Sequence, residues 1–523
     1  MAGSVTFEGF PYRSRRYLVV DLDHERVEFC PLDPETGRSL VGGRLLAMWL
    51  WDKYADYRKQ QNSLFDEGNP IVLAPGGLSD LDLSFARGYA VVTKSPVTGM
   101  VECAFGEGPF GSGLCSLGLC AIVLLGRQRR TSCLVIDGSR VAFSVEEELH
   151  DQPCGALQNH YAGWHIAAIG PAAERGNRFA SLLCDGENVG RGGLGLSFAH
   201  KNLKVLALRG PFHERISYDV TDMGMLLEEY RAAVARQGQR SLIAIGRERG
   251  WIALHGFNDF TDGRLWALEN IRDRWLDYLA LGPNLGLFNP EHISVLVRMC
   301  DEVGVDPVSS GIALLAARQD QLADGPELVE VVRSFGMAQS RYSAVMESPT
   351  LASYRIGALE LPPLDLRVLP AQAALACSGD DTILFEELLG SGGNAYLRGD
   401  NLALARMALR GAEIRMVMET LGLPKTFHGL VCADRHIRPM GMLARLATDG
   451  EGHLFTEDAV LELGHEAMRM QDRLDARLGR SRGGRIPDCF VTGVMYGDPG
   501  RNLVRTSRLI EVYRALRSSV SNA

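Results

Sequence analysis

The apolar pattern of this chain changes period near residue 211, and that change limits what it can fold into. Ahead of it lie short β-type runs: Tyr17 to Leu22, Val27 to Cys30, Ile71 to Leu73, Tyr89 to Thr93, Ala121 to Leu125, Ser132 to Ile136 and Val205 to Leu208. Runs of this length, separated by turn residues, read as strands. One helix is predicted among them, Gly43 to Lys59. Behind the change, apolar residues recur at helical spacing. The helices predicted there are Met223 to Gln237, Pro290 to Val303, Ser309 to Leu322, Glu327 to Phe335, Leu402 to Leu421 and Glu457 to Leu478. Pro362, Pro363 and Pro370 mark a linker at Leu361 to Pro370. The expected fold class is therefore α+β: a β-rich domain over residues 1–210, then helical domains over 211–365 and 366–523.

Composition narrows the function. Of 523 residues, 46% are hydrophobic and 23% charged, the balance of a globular protein. A formal charge of −9 argues against nucleic acid as a partner, since phosphate binding needs a basic face. The clusters Arg13, Arg15, Arg16 and Arg127, Arg129, Arg130 read as solvated surface. Asp21 and Asp23 stop the apolar run Tyr17 to Val20 before it can serve as a secretory core. The most apolar stretch, Leu114 to Leu125, is far below the roughly 20 residues of a membrane span and reads as one or two buried strands. No membrane span is expected, and the cytoplasm is the predicted location. The 11 cysteines are scattered, with no C-x-x-C pair. They read as reduced thiols in the core.

The strongest local signal is Gly190-Arg191-Gly192-Gly193-Leu194-Gly195, followed by Lys201 to Lys204. Glycines let backbone N–H groups approach an anion, and arginine adds a charge-assisted fork. The run lacks the Gly-Lys-Ser/Thr ending of a P-loop, and on pattern alone it reads more readily as a glycine turn before a strand. A second glycine-rich segment, Gly106 to Gly113, reads as a hairpin loop. No G-x-S-x-G and no H-E-x-x-H occurs. His150, His160 and His165 are close in sequence, but their spacing fits no helical ligand pair.

Taken in order, these segments resemble the N-terminal domain of the aldehyde:ferredoxin oxidoreductases. Gly42-Gly43-Arg44 resembles the family's glycine-arginine start before a helix. Asn69-Pro70 through Ala74-Pro75-Gly76 resembles its "ENPLIFAPGPLTG" stretch. Val91 to Gly99 is nearly its consensus. Phe110-Gly111, Ala121-Ile122-Val123, Ile169 to Glu174, Arg178-Phe179-Ala180 and Gly190 to Gly195 complete the set. In the helical half, Leu279 to Gly286 resembles "WALGANLG", and Asp301-Glu302-Val303-Gly304-Val305-Asp306 resembles the first D-x-x-G-L-D turn that contacts the pterin. The resemblance implies two β-sheets forming a base for a bis-pterin carrying tungsten or molybdenum, covered by two helical domains. It carries a cofactor-binding set onto Lys94, Ser95, Gly190, Arg191, Gly192, Gly193, Asp301, Gly304 and Asp306.

The departures concern the iron–sulfur cluster and the catalytic groups. The family carries C-x-x-C-x-x-x-C ahead of its "WALG" segment, whereas this chain has no cysteine between Cys184 and Cys300. The second turn, which in the family ends in the fourth cluster ligand, is here Glu419 to Pro424. Proline cannot ligate iron, so a 4Fe-4S cluster is expected to be absent. The family's glutamate falls at Leu276, beside Asp277, and its histidine stretch near Thr382 to Phe385, which has no histidine. Asp277, Asp380 and Asp381 are the remaining acids and read as surface or capping residues. The family's magnesium-holding asparagine falls at Phe105, which offers no oxygen. No catalytic residue and no protein metal ligand is assigned. Three readings stay open: a divergent tungsten or molybdenum bis-pterin oxidoreductase acting on an aldehyde or carboxylate-type substrate, a non-catalytic structural or regulatory subunit, and a binder of a different anion. The first implies a redox-partner subunit or a ferredoxin-like protein; a homodimer is also compatible with the resemblance.

Overall fold

The computed structural model describes residues 4–6, 16–58, 68–79, 86–96, 99–190, 192–211, 274, 277–278, 280–282, 285, 287, 289–318, 325–335, 401–424, 457–479 and 511–520. The predicted helix Met223 to Gln237, the linker at Leu361 to Pro370 and the stretch Thr382 to Phe385 lie outside them.

The front half is built from two mixed sheets. Its strands are β1 (Ser4–Thr6), β2 (Arg16–Asp21), β3 (Arg26–Pro31), β4 (Ile71–Pro75), β5 (Tyr89–Lys94), β6 (Val101–Gly106), β7 (Ala121–Leu125), β8 (Ser132–Asp137), β9 (Arg140–Ser144), β10 (His165–Ala168), β11 (Leu182–Cys184), β12 (Glu187–Val189) and β13 (Leu203–Arg209). The six-stranded sheet has the order β3-β2-β7-β4-β5-β6, and the seven-stranded sheet β1-β9-β8-β13-β10-β11-β12. Neighbours are antiparallel except β2 with β7 and β8 with β13.

Side-chain alternation explains why these strands read as continuous apolar runs. Leu18, Val20, Ile71, Leu73 and Val91 of one sheet meet Leu134, Ile136, Leu206 and Leu208 of the other in a shared core. Their sequence neighbours Tyr17, Val19, Val72, Ala74 and Val92 point to the opposite face. Helices α2 (Gly43–Tyr54), α10 (Asn401–Leu421) and α11 (Glu457–Arg477) cover that face with Leu45, Leu50, Trp51, Val417 and Met468. Both faces of β2, β4, β5 and β7 are thus dry, and both positions of their alternation must be apolar. Helix α4 (Cys154–His160) covers the outer face of the other sheet through Leu157, against Cys133, Ile166 and Val205.

The predicted helix from Gly43 ends at Tyr54, where Ala55 turns extended. The helical half supplies α7 (Pro290–Val303), α8 (Pro307–Arg318), α9 (Gly325–Ser334), α10 and α11 close to the predicted bounds. Helix α7 starts on Asn289, whose side chain accepts from Glu291 N and His292 N, with Pro290 at the first helical position. Two expectations change. Gly106 to Gly113 is not a hairpin loop: β6 ends at Gly106 and α3 (Phe110–Ser116) begins four residues on. Leu114 to Ser116 is accordingly helical, and only β7 of the run Leu114 to Leu125 is a strand. Besides these, α1 (Pro34–Leu40), α5 (Pro171–Glu174) and α6 (Leu194–His200) are short helices in the β-rich half. Among the described residues no helix is long and apolar enough to cross a membrane.

Candidate functional site

The site is organised around turns where helices end against sheets. Strand β10 runs through Ile169 into Gly170, and β4 runs into Gly76, so each sheet presents one glycine turn. Helix α7 ends at Gly304 in the left-handed conformation, with its N–H on Cys300 O and Asp301 O. Helix α10 runs out at Leu421, and Gly422 follows with φ +83 and its N–H on Met418 O. Each helix end seats on one sheet turn. Gly77 N donates to Thr420 O, Leu78 N to Leu421 O and Gly88 N to Gly422 O. A Cβ on Gly76 would stand 2.1 Å from Gly422 Cα, so neither backbone leaves room for a side chain. On the other sheet a Cβ on Gly170 would stand 2.2 Å from Val303 O, and Ser181 N donates to Gly304 O.

Between these seats lies the glycine run. Gly190, Gly192 and Gly193 all take positive φ, and Gly193 precedes α6. Ser95 Oγ donates to Gly192 O at 2.6 Å. A Cβ on Gly192 would stand 3.0 Å from that hydroxyl oxygen and 3.5 Å from Glu102 Cγ. Gly195 N donates to Ala180 O, Ala180 bridges to Val305, and Asp306 N donates to Phe179 O. Hydrogen bonds between separate chain segments therefore link Ser95, the Gly190–Gly193 run, Gly304 and Asp306. Lys94 belongs with them by chain continuity and is buried. Arg191 lies outside the described residues.

Asn69 holds the Lys94 end in place. Its side chain accepts from Lys94 N at 3.0 Å and Trp51 Nε1 at 3.1 Å, and donates to Lys94 O at 3.1 Å. Thr93 Oγ1 adds bonds to Asn69 Oδ1 and Pro70 O. This role was open to sequence reasoning, since an asparagine before proline at the head of a strand is a turn signal, but only the fold reveals its partner across β5.

Asp306 and Asp301 do different work. Asp306 accepts from Ser309 N at 2.7 Å and so caps α8. Both oxygens of Asp301 are taken by Arg274, at 2.7 and 2.9 Å, and the same guanidinium reaches Asp277 at 2.7 Å. Burial raises the Asp301 carboxyl above its usual range, against the pull of Arg274. Burial also raises the Cys300 thiol well above its usual value, as expected of an inert core cysteine. Asp277 is thus an ion-pair partner; Asp380 and Asp381 lie outside the described residues.

The second seat carries a buried lock. Arg44 bonds Glu419 and Gln471, Arg415 Nε bonds Glu419 at 2.7 Å, and Gln471 Nε2 donates to Val101 O at 2.8 Å. Phe105 is buried with its ring tip against Gly88. The three histidines do not converge. His150 pairs with Asp151, His160 with Glu146 and His165 with Asp185. Among the described residues no three His, Cys, Asp or Glu side chains group as a metal site.

Glycine backbone in left-handed turns can bring N–H groups to an anion. The glycine run is a cradle that a Cβ would fill, and Ser181 Oγ, beside Gly195 and Gly304, is buried with no hydrogen-bond partner.

This architecture is that of a two-sheet base capped by helices, and its front half matches a known domain family. Residues 17–210 match the aldehyde ferredoxin oxidoreductase N-terminal domain. The chain is similar to the tungsten-containing aldehyde ferredoxin oxidoreductase of Thermococcus kodakarensis, 26% identical over 369 residues, 60% of each chain. It is 34% identical to that of Pyrococcus abyssi over 357 residues, 58% of each. Residues 17–210 thus form a domain of the aldehyde ferredoxin oxidoreductase N-terminal type. It spans about three fifths of the length of these curated relatives. A solved structure with the same fold is the active-site complex BamBC of benzoyl coenzyme A reductase with 1,5-dienoyl-CoA. Its TM-score is 0.65 at 13% identity, over 97% of this chain and 94% of that one.

Proposed function

We propose that this chain is an oxidoreductase, or the active subunit of one, that holds a tungsten or molybdenum bis-pterin between its two sheets and its helical half. The observation that carries the reading is the pair of glycine seats, one on each sheet, with the Gly190–Gly193 cradle joined to the first by the Phe179–Ser181 backbone. Two such seats suit a cofactor with two similar halves. Backbone N–H groups of Gly190, Gly192 and Gly193, with Arg191, Lys94 and Ser95, would hold phosphates; Gly304 and Asp306 would line the first pterin. When bound, the metal supplies oxo-transfer or hydride chemistry, and the protein orients substrate and excludes water. The proposed substrate is of aldehyde or carboxylate type. Domain limits of 1–210, 211–365 and 366–523 belong to the same proposal.

Electrons are proposed to leave through a redox-partner subunit or a ferredoxin-like protein, not through a cluster of this chain. The support is the lack of cysteine between Cys184 and Cys300 and Pro424 after the Gly422 turn. The related reductase fold was solved as a complex. A direct test is dye-linked aldehyde oxidation by protein expressed without oxygen in a host that makes the cofactor. Loaded protein is expected to reduce a viologen with aldehyde. Stoichiometric metal and pterin without turnover would leave only a structural or regulatory role for the loaded chain.

A further inference from the structure

A second polar site lies away from the glycine cradle, on the loop between β7 and β8. The loop is fixed from below. Buried Lys201 Nζ donates to Gly126 O at 3.0 Å, and Gln128 N donates to Lys201 O at 3.0 Å. Asn202 holds a left-handed conformation, φ +53, uncommon outside glycine. From there its Nδ2 reaches Gln128 O at 2.5 Å and its Oδ1 accepts from Arg127 Nη2 at 3.3 Å. Asp23 accepts from Arg127 N at 2.9 Å. Such strain persists only where the surroundings enforce it.

The fixed loop presents three arginines around a cleft of about 620 Å³. Arg127, Arg129, Arg130, His150, Glu146 and Glu147 all line it. Arg129 has no hydrogen-bond or ion-pair partner among the described residues. Arg130 reaches Glu147 only at 3.6 Å, with both side chains mostly in water, a pairing of little strength. Glu146 is engaged by Tyr161 and His160. On a chain of formal charge −9, this concentration of guanidinium on a rigid loop is local and directed. The volume lies within the range of small-molecule sites, and arginine forks match phosphate oxygens.

We propose that this cleft binds a phosphorylated small molecule bearing a hydroxylated end, as a nucleotide does. The phosphates lie on Arg127, Arg129 and Arg130, and Glu147 accepts from the hydroxyls. Arg127 is held by Asn202, so part of the ordering cost is met before the ligand arrives.

Calorimetric titration of the intact chain with ADP, and separately with inorganic pyrophosphate, tests this. ADP is expected to bind at one site, more tightly than pyrophosphate. The variant R129A/R130A, altered only at exposed side chains, is expected to weaken ADP at least tenfold with an unchanged circular dichroism spectrum. R473A, which removes an exposed arginine elsewhere, serves as the charge control and is expected to bind ADP as the intact chain does. No saturable binding of either probe would overturn the site. Equal weakening by R473A would reduce it to general charge attraction and overturn it as well. Equal affinity for pyrophosphate and ADP would overturn the assignment of Glu147 to the hydroxylated end.

Discussion

Gly192 shows how much of the site rests on single residues. Its φ of +69, with a Cβ added there standing 3.0 Å from Ser95 Oγ, leaves no comfortable side chain. Gly192→Ala is expected to cost about 1–2 kcal/mol of stability from the left-handed backbone alone. Its cofactor content after anaerobic purification is expected to fall in parallel. Asn69 is the other sensitive point. Asn69→Ala would strand the backbone N–H and C=O of Lys94 and the Trp51 indole N–H in a dry core, at about 1–3 kcal/mol for each group left unmet. Urea unfolding reads both changes. The glycines were legible in sequence because a run of them has few other uses. The grip of Arg274 on Asp301 was not, because it joins residues 27 positions apart and depends on a helix end that sequence does not place.

The elements most legible in sequence were those buried on both faces. Strands β2, β4, β5 and β7 carry apolar side chains at nearly every position because helices dry one face and the other sheet the second. Strands β1, β10, β11 and β12 were missed because three or four residues are too few to establish a period, and β6 and β9 were missed because Glu102, Gly106, Arg140 and Ser144 interrupt their apolar runs. The seating of α10 on the β4 turn is the contact between elements most open to test. Gly76→Ala drives a Cβ into Gly422 backbone, 2.1 Å from its Cα, and neither atom is the end of a flexible chain. A loss of about 1–3 kcal/mol is expected, as for overpacking generally. Wild-type stability in that variant would show that the helix end is not clamped there.

At the scale of the whole molecule, buried charge sets a pH dependence. Burial lowers the Lys201 ammonium to about 8. A base depressed on folding binds more protons when unfolded, so this group makes stability rise as pH climbs from about 8 toward its ordinary value near 10.4. Lys201→Met is expected to flatten that rise in denaturant midpoints taken at pH 8 and pH 10. The resemblance of the N-terminal domain, the two-sheet base and the helical cover were legible because glycine turns and doubly buried strands leave strong traces in order along the chain. The arginine cleft was not: Arg127, Arg129 and Arg130 look like solvated surface until the loop bearing them is seen anchored to Asn202.

The central claim is that the glycine seats hold a metal-bearing bis-pterin without a cluster in this chain. Elemental analysis for tungsten, molybdenum and iron, with pterin extracted from the same anaerobically purified sample, tests it most directly. The account predicts stoichiometric tungsten or molybdenum, two pterins per chain and no iron. Stoichiometric iron, or folded protein from a cofactor-competent host that carries neither metal nor pterin, would contradict it.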